Sequence, residues 1–203
     1  EDGERIGWVK ASSMSVERHA LATCHYKGSG GVELVFAVGG WKDGRLCSKD
    51  VEKYDVNKET WEILSSMQLG RRLCSCVAIR NATDKNAYRL YVFGGQIDNS
   101  NHLGFVEGEE SNGWVTASVE VFDSLTQKWN ELKDLPAAGP TSAIVVGENA
   151  IYVFVHGAFV YRYFPGEDKY IKVATLPLKH WYSFDICSFG RRIFMTGGSV
   201  HGR

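Results

Sequence analysis

Leu90-Tyr91-Val92-Phe93-Gly94-Gly95 is an apolar run closed by two glycines, and the chain contains this pattern more than once. Val35-Phe36-Ala37-Val38-Gly39-Gly40 and Ile193-Phe194-Met195-Thr196-Gly197-Gly198 repeat it, and Ile151-Tyr152-Val153-Phe154-Val155-His156-Gly157 is a degraded copy. Downstream of the copies at 35, 90 and 151 stands an aromatic residue: Trp61, Trp129 and Tyr170. Seven residues before each is another aromatic, Tyr54, Phe122 and Tyr163; six residues after each is Met67, Leu135 and Leu176. Trp8 and Met14 keep the same six-residue step. A register held across four copies is an internal repeat, and a repeat decides the fold before any single residue does.

Each unit contains short runs rich in Val, Ile, Tyr, Phe and Trp, separated by Gly, Asp, Asn, Ser and Lys, the composition of β-strands and turns. The runs fall at about 19–25, 34–40, 50–55 and 60–64; about 74–80, 89–95, 117–123 and 128–132; about 141–147, 151–156, 159–164 and 169–174; and about 182–188 and 191–197. No window of comparable quality has helical periodicity, so an all-β chain is expected. Four meandering strands per repeat make one propeller blade. The units resemble the kelch repeat: an apolar strand ending in Gly-Gly, then Tyr or Phe followed by Asp, then Trp, then Met or Leu-Pro. The third unit departs from it, with His156 for the first glycine and Tyr170 for Trp. The resemblance implies a kelch β-propeller, here a partial ring. Residues 1–14 would end a preceding blade, 15–67 and 68–135 would be blades, 136–176 a divergent blade, and 177–203 the first half of another. Closure takes roughly four to eight blades, so a longer ring is expected. Trp61 and Trp129 are expected to be largely buried between blades, and the double glycines to admit close backbone approach.

The chain has 203 residues, 44% of them hydrophobic, with a net charge of −1. That balance argues against a nucleic-acid surface, which needs a basic excess. No run reaches the roughly 18 apolar residues of a membrane span. The five cysteines, Cys24, Cys47, Cys74, Cys76 and Cys187, have no metal-ligand spacing and read as small buried hydrophobes. An odd count without a secretory signal points to a reducing, cytoplasmic location. Asn81-Ala82-Thr83 matches a glycosylation acceptor but reads as a polar turn.

Function in such a fold lies in its loops. The resemblance implies that two loop sets share one mouth of the ring. The first leads from one blade to the next. Four residues after each Met or Leu it carries Arg18, Arg71, Gly139 and His180, and Arg72 and Trp181 follow directly on two of these. The second joins strands two and three and carries Trp41 and Arg45, then a long insertion from Gln96 to Thr116. Kelch adaptors commonly have Arg at the first of these positions, and its planar fork suits a carboxylate. The partner-binding set is therefore Arg18, Trp41, Arg45, Arg71, Arg72, His180 and Trp181. Either these side chains grip a partner carrying Asp, Glu or phosphate, or Arg18 and Arg71 tie their own loops together. The binding alternative expects charge reversal at both arginines to abolish binding with little change in melting temperature.

Catalysis has no support in the motifs. There is no nucleophile elbow, phosphate loop or zinc-protease signature, and the six histidines are scattered. A copper-radical oxidase of galactose-oxidase type would need a Tyr, Cys and His constellation at the axis, and nothing singles one out. No cofactor or metal is expected. The Asp50-Val51-Glu52-Lys53-Tyr54-Asp55 … Trp61 stretch looks most like BTB–kelch proteins. That resemblance implies a protein-interaction domain that recruits substrates to a cullin-based ubiquitin ligase, the cullin being bound through a BTB region. The alternatives are an F-box–kelch adaptor and an actin-binding or cytoskeletal kelch protein.

Overall fold

The computed structural model describes residues 7–42, 46–98, 114–147, 149–155, 158–177 and 181–200. Its elements run in chain order as antiparallel strands. β1 (Ala22–Lys27) and β2 (Glu33–Val38) are followed by a short hairpin of β3 (Trp41–Lys42) and β4 (Leu46–Cys47), then β5 (Val51–Asp55) and β6 (Thr60–Ile63). The next unit repeats this plan. It has β7 (Ser75–Arg80), β8 (Tyr88–Phe93), a hairpin of β9 (Gln96–Ile97) and β10 (Trp114–Val115), β11 (Val119–Asp123) and β12 (Lys128–Leu132). The third has β13 (Thr141–Val146), β14 (Ala150–Val155), β15 (Phe159–Phe164) and β16 (Lys169–Thr175), with no such hairpin among its described residues. β17 (Trp181–Phe189) and β18 (Arg192–Val200) form a two-stranded sheet.

Three four-stranded meanders result, in the order β1-β2-β5-β6, β7-β8-β11-β12 and β13-β14-β15-β16. The all-β propeller reading therefore holds, and the helical content of the described residues is one 3-10 turn at Ser29–Gly31. The first strand of each sheet packs beside the first strand of the next, β1 on β7, β7 on β13 and β13 on β17, so the innermost strands run around a common axis. One boundary differs from the sequence reading: β1 begins at Ala22 rather than near residue 19, because His19 pairs instead with Trp41 of the β3 hairpin.

The repeat spacings have direct structural meanings. The aromatic pairs seven residues apart stand opposite each other across the outer hairpin of each blade: Tyr54 on Trp61, Phe122 on Trp129 and Tyr163 on Tyr170. Their ring centroids are 5.1, 5.4 and 4.7 Å apart. The Asp after the first aromatic closes the turn, as Asp55 accepts the N–H of Asn57 and Lys58, and Asp123 that of Leu125. The polar tip of each outer aromatic is also fastened. Trp61 Nε1 donates to the Ser12 carbonyl, Trp129 Nε1 to that of Ser65, and the Tyr170 hydroxyl to that of Lys133, at 2.9, 2.7 and 3.1 Å. Each acceptor lies two residues before the Met or Leu of the preceding crossing, so Tyr170 keeps the staple that Trp makes elsewhere.

Trp129 is buried, and Trp61 is the more exposed of the two. Trp129 packs with Phe36, Leu64 and Met67 of the first blade. Trp61 faces residues 7–13, which are exposed. The double glycines serve two needs at once. Gly39 and Gly94 have φ of 63° and 53°, a region costly for any residue with a Cβ. A Cβ on Gly39 would also stand 2.3 Å from the Arg71 carbonyl oxygen. That close approach brings the next crossing within reach: Gly40 N–H donates to Arg71 and Gly95 N–H to Gly139.

Candidate interaction site

The crossings between blades and the strand-two-to-three hairpins meet at one end of the strands. His19 exchanges backbone hydrogen bonds with Trp41, and Arg72 does the same with Gln96. The two hairpins are joined in turn, because Asp98 accepts the Cys47 N–H and the Cys47 thiol donates to the Gln96 carbonyl. Burial and the Asp98 carboxylate push this thiol up to about 12, so it is an inert neutral donor at neutral pH. Leu46, Trp114 and Val115 are 60%, 52% and 45% exposed on this rim. Large apolar groups left in water beside cationic side chains mark a surface that receives something.

Arg18 and Arg71, the two arginines expected at the mouth, are not part of that surface. Their side chains have no exposed area, and each is buried against a glutamate of its following blade. Arg71 Nη2 donates to Glu120 at 2.8 Å and to the Ser118 hydroxyl, and its Nη1 donates to the carbonyls of Ser118 and Gly94. Glu120 in turn accepts the N–H of Gln68 and Leu69. Arg18 repeats the knot, donating to Glu52 at 3.0 Å and to the carbonyls of Asp50 and Ala37. Glu52 accepts both the N–H and the hydroxyl of Ser15. Burial lowers the Arg18 pKa, against the pull of Glu52 and Asp50, which raises it. These arginines close their own crossings onto the next blade.

The third blade lacks both partners. Gly139 stands where Arg18 and Arg71 stand, and Tyr161, opposite Val153 and two residues before Tyr163, where Glu52 and Glu120 stand before Tyr54 and Phe122. Comparing the copies position by position would have found this joint loss in the sequence. One buried ion dropped without the other leaves an unpaired charge, whereas both dropped together leave an apolar joint.

The residue after each arginine points outward instead. Arg72 lays its guanidinium carbon 3.4 Å from the centre of the Trp41 ring, and the His19 ring stacks on Trp41 at 5.9 Å. Trp41 is half-buried in β3, and its indole N–H is buried without an acceptor among the described residues. Arg45 and His180 lie outside the described residues, as does most of the 96–116 insertion; Trp181 opens β17, with its side chain outside the description. The sequence missed Leu46 and Val115 because single exposed aliphatic residues carry no motif.

Elsewhere, β1, β7, β13 and β17 line an axial concavity of about 590 Å³. Among the described residues no three His, Cys, Asp or Glu side chains gather to hold a metal. Cys74 and Cys76 are buried, as their composition suggested, and burial pushes Cys74 up to about 11; Cys187 is exposed. Asn81 is buried and donates to Asp123 while accepting from Thr83, the polar-turn reading rather than a glycan acceptor. No helix of the described residues is long and apolar enough to cross a membrane.

Residues 33–68 match the Kelch motif. Over 94% of its length the chain is 27% identical to an F-box/kelch-repeat protein of Arabidopsis thaliana and 23% identical to Kelch-like protein 38 of Homo sapiens. It is 30% identical over 98 residues to Kelch repeat and BTB domain-containing protein 2 of Pongo abelii, covering 48% of this chain and 15% of that protein. The chain spans 44% of the Arabidopsis protein and 29% of the human one. The blades described above and these similarities are those of kelch-repeat β-propellers, and they support a protein-interaction domain.

Proposed function

We propose that this chain is the substrate-holding propeller region of a ubiquitin-ligase adaptor, and that the rim formed by the two hairpins is where the substrate docks. The observation that carries the docking face is the concentration of exposed Leu46, Trp114 and Val115 beside Lys42, His19 and Arg72 at the end where crossings and hairpins converge. Interfaces favour aromatic and Arg anchors of this kind. The region performs no chemistry of its own. Its parent protein delivers a bound protein to a cullin-based ligase through another segment, of BTB or F-box type, in the cytoplasm. Relatives named for each type support the two equally.

Purification of the full-length protein from cells tests this. A cullin is expected to co-purify, accompanied by a Skp-type subunit if the parent is of the F-box kind and without one if it is of the BTB kind. Actin filaments in place of a cullin would overturn the adaptor role. The pair Leu46→Asp and Val115→Asp is expected to release the substrate at least tenfold, about 1.4 kcal/mol, while cullin retention is unchanged. Lys85→Glu, in the turn at the opposite end of β7, is expected to leave both intact. Substrate lost with Lys85→Glu and kept with the rim pair would mean that the wrong face has been chosen.

A further inference from the structure

Two thiols of different blades meet beside the axis. Successive side chains of a strand face opposite ways. On β1, Ala22, Cys24 and Tyr26 turn toward the second blade, and Cys76 and Ala78 of β7 turn back toward the first, in one packed cluster. β1 and β7 are the innermost strands of their blades and lie side by side. Across this gap the Cys24 and Cys76 thiols share a hydrogen bond. Neither is in a disulfide; Cys76 is buried and Cys24 half-buried. Both line the axial concavity of about 590 Å³, so a small solute that enters it meets Cys24. Cys74 is buried too, but beside Arg71 and the Ala22 backbone. A reachable thiol in contact with a second thiol is the arrangement in which a sulfenic acid is captured as a disulfide.

We infer that Cys24 and Cys76 are a peroxide-responsive pair, in which Cys24 takes the oxygen and Cys76 closes a disulfide between the first and second blades. The Cys24 sulfur attacks one oxygen of hydrogen peroxide, the O–O bond breaks, and the departing hydroxide leaves as water with the Cys24 thiol proton. The Cys76 sulfur then attacks the sulfur of the Cys24 sulfenic acid. The S–O bond breaks, and the second hydroxide leaves as water with the Cys76 proton. The two thiols lose two electrons and the peroxide gains them. Burial and the neighbouring Cys24 thiol hold the Cys76 pKa well above the usual thiol range, so Cys76 stays neutral and reacts second. The bond closes a loop from 24 to 76 and thereby restricts the unfolded chain.

The test treats the reduced, folded full-length protein with hydrogen peroxide, alkylates the remaining thiols and maps the tryptic peptides by mass spectrometry. A disulfide joining 19–27 to 73–80 is expected, lighter by two hydrogen masses than the separate peptides. It is expected to persist in Cys74→Ala, to part with dithiothreitol, and to raise the melting temperature. Cys76→Ala is expected to stop at a Cys24 sulfenic acid that dimedone labels, and Cys24→Ser to leave Cys76 alkylated as the free thiol. Both peptides recovered alkylated from the treated parent overturn the pair, and that measurement stands even if a variant fails to fold. A link lost with Cys74→Ala, or formed only in urea, overturns it as well, since the contact between blades would then not direct the reaction.

Discussion

Arg71→Met is expected to lower the stability of the propeller by about 3–5 kcal/mol, the usual result of removing one partner from a buried ion pair. The Glu120 carboxylate would remain with 1% exposure and only the Gln68 and Leu69 N–H groups to hold its charge. Adding Glu120→Val is expected to recover most of the loss, because no carboxylate is then left buried without its cation, as in the third blade, where Gly139 and Tyr161 hold the two positions. Chemical denaturation of the parent, both single variants and the double closes the cycle. Additive losses would mean that the pair does not act as a unit. This outcome differs from the one the sequence suggested for charge reversal at Arg18 and Arg71, loss of binding at constant melting temperature. Side chains without exposed area cannot be reversed in charge at constant stability.

Trp129→Ala is the second large effect, at about 3–5 kcal/mol for a big aromatic removed from a core. Trp129 is 9% exposed, packs on the first blade and holds Ser65 with its indole N–H. Trp61→Ala, at the equivalent position, is expected to cost less, since transfer free energy scales with the area removed from water and Trp61 is the more exposed of the two. Denaturant midpoints measured side by side check the order. Equal losses would show that the cross-strand aromatic contact, Tyr54 with Trp61 and Phe122 with Trp129, outweighs the contact between blades.

The blades were legible because a repeat multiplies weak signals. Tyr54 and Trp61 alone say little, but the same interval at Phe122–Trp129 and Tyr163–Tyr170 specifies a hairpin three times over. The mouth was legible only in part. Register locates a crossing, yet the crossings at 15–19 and 68–72 are irregular, and period alone does not say which of two successive side chains turns inward. Arg71 goes in to meet Glu120, and Arg72 goes out to cover Trp41. The missing information was the glutamate, on a strand about fifty residues downstream. Leu46 and Val115 were beyond reach for another reason: their significance comes from the Cys47–Asp98 and Cys47–Gln96 bonds that bring two hairpins of different blades together.

The proposal that the hairpin rim holds the substrate is most directly tested by hydrogen exchange of the full-length protein with and without a bound protein partner. Slowed exchange is expected on binding at 41–42, 46–48, 96–98 and 114–116, with the turns at 28–32 and 81–87 unchanged. Slowed exchange at those turns, with 41–48 and 96–116 unaffected, would contradict it.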